Sequence, residues 1–162
     1  MTALWDTSVL SRLHPEGSLL EYMLDQALAE NPVRIASVAL LEVAYGYERR
    51  IQDPRYQALL DWLTGLLAGN AFHAVSLDGR AALVAGRVRA RMPHPPATRR
   101  GDRRSKTMRQ AAWLLDIEIA ATAYMAGLDL ATENRRDFES IARVLVALFP
   151  RAEPLAIVGP PV

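Results

Sequence analysis

Short apolar runs alternate with longer segments of helical spacing along most of this chain. Residues 2–5 are a brief apolar run halted by Asp6-Thr7-Ser8, the pattern of a strand entering a helix start. Leu19, Leu20, Met23, Leu24, Ala27 and Leu28 recur at helical intervals and predict a helix over residues 19–29. Asn31-Pro32 breaks that pattern, residues 33–36 read as a second strand, and Ser37 reads as the N-cap of a helix running to about residue 50. Pro54 precedes a helix over residues 56–67, closed by Gly69-Asn70; residues 72–75 form a third strand, and Asp78-Gly79 opens a helix to about residue 92. Helical spacing returns over residues 114–126 and stops at Gly127. A fourth strand over 128–132, a short helix over 135–141 and a last strand near 143–147 complete the pattern, followed by a proline-containing tail, residues 148–162. Alternation of this kind places the chain in the α/β class, with a central, mainly parallel sheet of about five strands flanked by helices. No internal repeat is visible.

With 162 residues, 51% of them hydrophobic and 23% charged, the chain has material for one buried core, expected over residues 1–147. Cysteine is absent, which removes disulfides, thiolate zinc sites and a cysteine nucleophile from consideration. No basic segment leads into an apolar run at the start, and no stretch reaches the length of a membrane span, so a soluble cytoplasmic protein without membrane association is expected. The net charge of +1 conceals a lopsided distribution. Nine cations stand between residues 87 and 109 against the single acid Asp102, leaving ten cations and seventeen acids elsewhere. Residues 93–108 contain three prolines, Gly101 and most of these cations, and read as a long exposed loop. A solvated loop is one explanation of the strip; a surface approached by a polyanion is the other.

Parallel sheets carry their sites beyond the carboxyl ends of strands, which directs attention to Asp6, Asp116 and the 132–137 segment. Asp6 alone is equally explained as a helix N-cap. Glu42 sits beside a helical stripe of Val38, Leu41 and Tyr45, and a carboxylate near an apolar face needs a partner, either an arginine or a metal ion. Gly46, one turn later, clears bulk beside it. Carboxylates gathered from distant positions suit Mg²⁺ or Mn²⁺. His14, His73 and His94 are scattered without paired spacing and read as ordinary surface or packing residues.

These segments resemble the PIN-domain ribonucleases, and in particular the VapC toxins of bacterial toxin–antitoxin pairs. Leu4-Trp5-Asp6-Thr7-Ser8 is similar to the family's opening block, and Ser37-Val38-Ala39-Leu40-Leu41-Glu42 with Gly46 to its second. Asp116-Ile117-Glu118-Ile119-Ala120 resembles the third, and Thr132-Glu133-Asn134-Arg135-Arg136-Asp137-Phe138 the fourth. The resemblance implies that Asp6, Glu42 and Asp116 are catalytic and hold Mg²⁺ or Mn²⁺, with Asn134 or Asp137 at the fourth ligand position. It also implies endonucleolytic cleavage of RNA, a homodimer, and an antitoxin protein that covers the site. The basic loop at 93–109 departs from a short family member.

On this reading the ion polarises a phosphodiester and acidifies the attacking water. Thr7, Ser8 and Thr132 orient carboxylates or water, and Arg99, Arg100, Arg103, Arg104 and Lys106 hold the RNA backbone. A haloacid-dehalogenase-type phosphatase is disfavoured because position 8 is Ser where Asp-x-Asp needs an acid, and a dinucleotide-binding oxidoreductase because GxGxxG is missing. The rival readings are a non-catalytic nucleic-acid or partner-binding module of the same fold, and a housekeeping RNA-processing nuclease.

Overall fold

A computed structural model describes residues 2–97 and 100–162. Five short strands, β1 (Ala3–Trp5), β2 (Val33–Ala36), β3 (Phe72–Val75), β4 (Asp129–Ala131) and β5 (Ile157–Val158), form one sheet in the order β3-β2-β1-β4-β5, every pair parallel. Register sets Leu4 against Arg34 and Leu130, and Trp5 against Ile35 and Ala131. Seven helices are described: α1 (Thr7–Leu10), α2 (Ser18–Leu28), α3 (Ser37–Glu48), α4 (Pro54–Ala68), α5 (Gly79–Arg91), α6 (Lys106–Ala126) and α7 (Arg135–Leu148). Parallel strands require covered faces, and the wholly buried Leu4, Ile35 and Leu130 pack among helical Leu10, Met23, Ile117 and Ile141. From β1 the chain builds outward through β2 and β3, then returns to the other side of β1 with β4. The order therefore reverses between β1 and β4, the place where such sheets open a crevice at their carboxyl edge.

The α/β class and the parallel five-stranded sheet agree with the sequence reading; several boundaries do not. Ser37 is the first residue of α3 and makes no capping bond, Ala36 occupying the cap position. The stripe read as Val38, Leu41 and Tyr45 is not the buried face: Leu41 and Tyr45 are 60% and 62% exposed, while Val38, Ala39 and Val43 are buried. α3 is apolar on nearly every side, so spacing alone does not select its inner face.

Helix α6 begins at Lys106, eight residues before the expected start, because Ser105 caps it by accepting the Met108 N–H at 3.1 Å. Its first turns carry polar side chains, and its inner side becomes continuous only from Trp113, with Ile117 and residues 119–123 all buried. Gly127, at φ +64, ends it in the left-handed conformation that glycine adopts without strain. Residues 143–147, expected as a strand, are the second half of α7, whose buried Phe138, Ile141 and Leu145 keep helical spacing. The fifth strand lies instead at Ile157–Val158, within the segment read as a tail, and pairs with β4.

Candidate functional site

The carboxyl ends of β1 and β4 bring Asp6 and Thr132 together. Asp6 is 3% exposed and caps α1, its Oδ1 accepting the Val9 N–H at 3.0 Å. Ser8 Oγ donates to Oδ1 at 2.7 Å, and Thr132 Oγ1, fully buried, donates to Oδ2 at 2.6 Å. Those hydroxyls are fixed in turn: the Glu133 N–H donates to Ser8 Oγ at 2.9 Å and the Asn134 N–H to Thr132 Oγ1 at 2.8 Å. The N-cap explanation of Asp6 is thus satisfied, and the same carboxylate is also the hub of a network joining two strands 126 residues apart. Burial pushes its pKa up against the pull of these hydrogen bonds.

Glu42, half-buried on α3, accepts a hydrogen bond from Thr7 Oγ1. No arginine pairs with it among the described residues. Burial raises its pKa, with Asp6 and Glu118 adding like-charge repulsion. Gly46 lines a groove with Thr7, Glu42 and Arg50, and a Cβ there would meet nothing within 4 Å. From α6, Asp116 is raised well above the ordinary carboxylate value by burial, then by the charges of Glu42, Asp137 and Asp6. Asp137, in the first turn of α7, accepts from Asn134 Nδ2 at 2.8 Å. Asp116 thus feels the charges of three acids, Asp6, Glu42 and Asp137, that come from separate parts of the chain.

This donor set fits a divalent cation by its chemistry: hard oxygens only, negative charges crowded at one sheet edge, and hydroxyls bracing the carboxylates. As they stand, the carboxylates face their hydroxyl and amide donors. Among the described residues no three His, Cys, Asp or Glu side chains are gathered closely enough to enclose an ion. Asp6, Glu42 and Asp137 are engaged instead by Ser8 and Thr132, by Thr7 and by Asn134.

A cleft of about 140 Å³ is lined by Asp116, Asn134 and Asp137 together with Pro95, Pro96, Asp102 and Arg104. Of the nine cations between residues 87 and 109, Arg104 and Arg109 line this cleft among the described residues. Arg100, Arg103 and Lys106 are exposed on the loop and the first turn of α6, and Arg99 lies outside the described residues. The three histidines are exposed and stand apart from the acids. Sequence reasoning missed Glu118, whose charge reaches Glu42, and the partnership of Asp102 with Arg104. The sole acid inside a run of cations was the available signal for the latter. Among the described residues no helix is long and apolar enough to cross a membrane.

No curated protein matches the sequence. Among solved structures the chain is similar to DNA-bound VapBC from Salmonella typhimurium, at 21% identity and TM-score 0.60 over 98% of each chain. It is also similar to VapBC2 from Rickettsia felis bound to a promoter DNA fragment, at 17% and 0.63 over 98% of each. FitAcB from Neisseria gonorrhoeae aligns at 20% and 0.60, covering 86% of this chain and 93% of that one. At such identities the likeness is one of fold. The PIN domain family itself matches residues 3–144, nearly the whole length from β1 through most of α7, and with the acids at the carboxyl edge of its parallel sheet this chain belongs to the PIN domain family.

Proposed function

We propose that this protein is an endoribonuclease dependent on Mg²⁺ or Mn²⁺, and the toxin of a VapBC-type pair. The observation that carries the reading is the convergence of acids from the carboxyl end of β1 and from α3, α6 and α7 near the β1/β4 crevice, where Asp6 is braced by Ser8 and Thr132, Glu42 by Thr7, and Asp116 feels the charges of Glu42, Asp137 and Asp6. Asp6, Glu42 and Asp116 would hold the ion. Asp137 is favoured over Asn134 as the fourth donor, since its charge acts on Asp116 while the Asn134 amide donates to it. Such an ion supplies Lewis acidity toward the phosphodiester and a more acidic water. The chain's own part is to keep the buried Asp6 oriented through two hydroxyls and shielded from bulk water, and to offer cations from the 92–105 loop and α6 to the RNA backbone.

Membership in the PIN family and the fold shared with the VapBC structures support an antitoxin partner; a homodimer is part of the same proposal. The binding-module reading is weaker, because a polyanion binder gains nothing from placing Asp116 and Asp137 in its cleft with Asp6 and Glu42 near enough to raise the pKa of Asp116.

Purified protein incubated with total cellular RNA and Mn²⁺ or Mg²⁺ is expected to yield discrete products that disappear with EDTA and with Asp6→Asn. Induced expression is expected to arrest growth in wild type but not in Asp6→Asn cells. Intact RNA under all conditions, with no metal-induced rise in melting temperature, would favour the binding module.

A further inference from the structure

The segment joining α5 to α6 is strapped onto α6. Trp113 Nε1 donates to the Met92 carbonyl at 2.8 Å, Gln110 Nε2 and His94 Nδ1 lie 2.8 Å apart, and Arg109 Nη1 donates to the Arg104 carbonyl at 2.6 Å. Both ends of the strap are thereby fixed, and its Pro95, Pro96 and Arg104 line the same cleft as Asp116 and Asp137. Within the strap, Asp102 accepts from Arg104 three times: from the backbone N–H at 3.0 Å, from Nε at 3.1 Å, and from Nη2 at 2.9 Å. A guanidinium has five N–H donors. Asp102 engages two of them, the side chain remains 52% exposed, and Nη1 makes no hydrogen bond among the described residues, in a residue that lines the cleft. Asp116 and Asp137 both act on the Arg104 charge. Lys106, by contrast, lines an adjoining groove with His94, Pro95 and Gln110.

An RNA phosphodiester entering this cleft meets several carboxylates that repel it. A fixed cation across from them offsets that repulsion, and a planar fork matches two phosphoryl oxygens at once. Charge on those oxygens shifts during displacement at phosphorus, where a donor already held in place stabilises the transition state without reorganising. Building on the nuclease reading, we propose that Arg104 is a catalytic residue that receives the non-bridging oxygens of the scissile phosphodiester, and that Asp102 is its positioning residue.

The test uses the full chain with a fluorescently labelled single-stranded RNA that wild type cuts in Mn²⁺. It compares Arg104→Ala, Arg104→Lys, Asp102→Asn and Arg103→Ala. Cleavage kinetics are paired with RNA affinity measured in EDTA across a salt series, and melting temperatures report folding. Loss of one transition-state donor is expected to lower kcat about 10²- to 10³-fold in Arg104→Ala. Its salt slope should fall by only about 0.7, the share of one phosphate contact on a single strand. Arg104→Lys recovers part of kcat, since a point charge replaces a fork. Asp102→Asn lowers kcat about tenfold with little change in KM, the size typical of losing an orienting partner. Arg103→Ala acts through KM and the salt slope.

An Arg104→Ala effect confined to KM and the salt slope, as in Arg103→Ala, would reduce Arg104 to one more cation of the strip and overturn the proposal. A rise in kcat would overturn it as well, and would mark the strap as an inhibitory cover. Should Arg104→Ala fail to fold, the kcat of Arg104→Lys and Asp102→Asn decides: unchanged values reject the assignment. If wild type cuts no RNA, the nuclease reading falls and takes this one with it; undiminished kcat in the variants of a cleaving wild type removes only the role of Arg104.

Discussion

Asp116 is where the demands of folding and of the site oppose each other most openly. Its folded-state pKa lies above its ordinary value because burial and the neighbouring acids disfavour the charge. A carboxyl with a raised folded pKa gives stability that is present below the unfolded value and is lost as pH climbs through the folded one. Glu42 and Asp6 share the sign. In EDTA the melting temperature is therefore expected to fall as pH rises above the usual carboxylate range toward neutrality, and added Mn²⁺ should reverse the fall. Asp116→Asn removes the conflict. Its melting temperature at pH 7 in EDTA should rise, by about 2–4 °C for each kcal/mol relieved, while cleavage is lost and the Mn²⁺ response shrinks. A lower melting temperature for Asp116→Asn would show that the charge is stabilising after all. Thr132→Ala and Ser8→Ala probe the bracing hydroxyls: each should keep the fold and lose about 10- to 100-fold in activity, as orienting groups around a metal site do. The acids themselves were legible in the sequence because each sits just past a strand or within a motif-bearing helix. Their hydroxyl partners were only guessable, since nothing in the spacing of Ser8 and Thr132 reveals that both would reach one carboxylate.

At the level of elements, legibility follows how strongly a segment's burial imprints itself on its spacing. β2, β3 and α5 emerged with little error because turn residues bound them closely: Asn31-Pro32, Asn70 and the capping Asp78, which accepts the Ala81 N–H at 2.8 Å. The start of α6 was hidden because Lys106, Thr107, Met108 and Arg109 bury little and stand inside a basic run that looks like loop. β5 was hidden for another reason, since two residues are too few to show an alternation, and the strand-like Val144-Leu145-Val146 nearby attracted the assignment. The hidden start of α6 suggests a direct check on what sets that helix in place. Ser105→Ala removes the cap bond to Met108 and should cost about 1 kcal/mol. Gly127→Ala, at φ +64 with open space around its Cβ, should cost a similar amount through backbone strain alone, about 1 kcal/mol. The two lie at opposite ends of α6, so their effects on chemical denaturation should add. If the strap is anchored through the first turn of α6, only Ser105→Ala should also slow cleavage.

On the scale of the molecule, charge and topology meet at the β1/β4 crevice, where Asp116 and Asp137 share a cleft with Arg104 of the strap and Arg109 of α6. The carboxyl-terminal segment belongs to this arrangement. Leu155 is 7% exposed, and β5 closes the sheet where β4 would otherwise present an open edge. Its bonds reach the site directly, for the Leu130 N–H donates to the Ala156 carbonyl at 2.9 Å and the Thr132 N–H to the Val158 carbonyl at 3.0 Å. Val158 thereby fixes the backbone of the residue whose hydroxyl holds Asp6. Removal of residues 155–162 should lower stability and, at temperatures where the shortened chain is still folded, lower kcat as the Thr132 hydroxyl loses its registration. Leu155→Ala separates the two effects. It takes away buried packing, at about 2–3 kcal/mol for a large-to-small change in a core position, while leaving the β5 backbone bonds in place. Equal specific activity for Leu155→Ala and wild type well below their melting points, beside a depressed value for the truncated chain, would assign β5 a part in holding the site; equal activity in all three would leave it a purely structural edge.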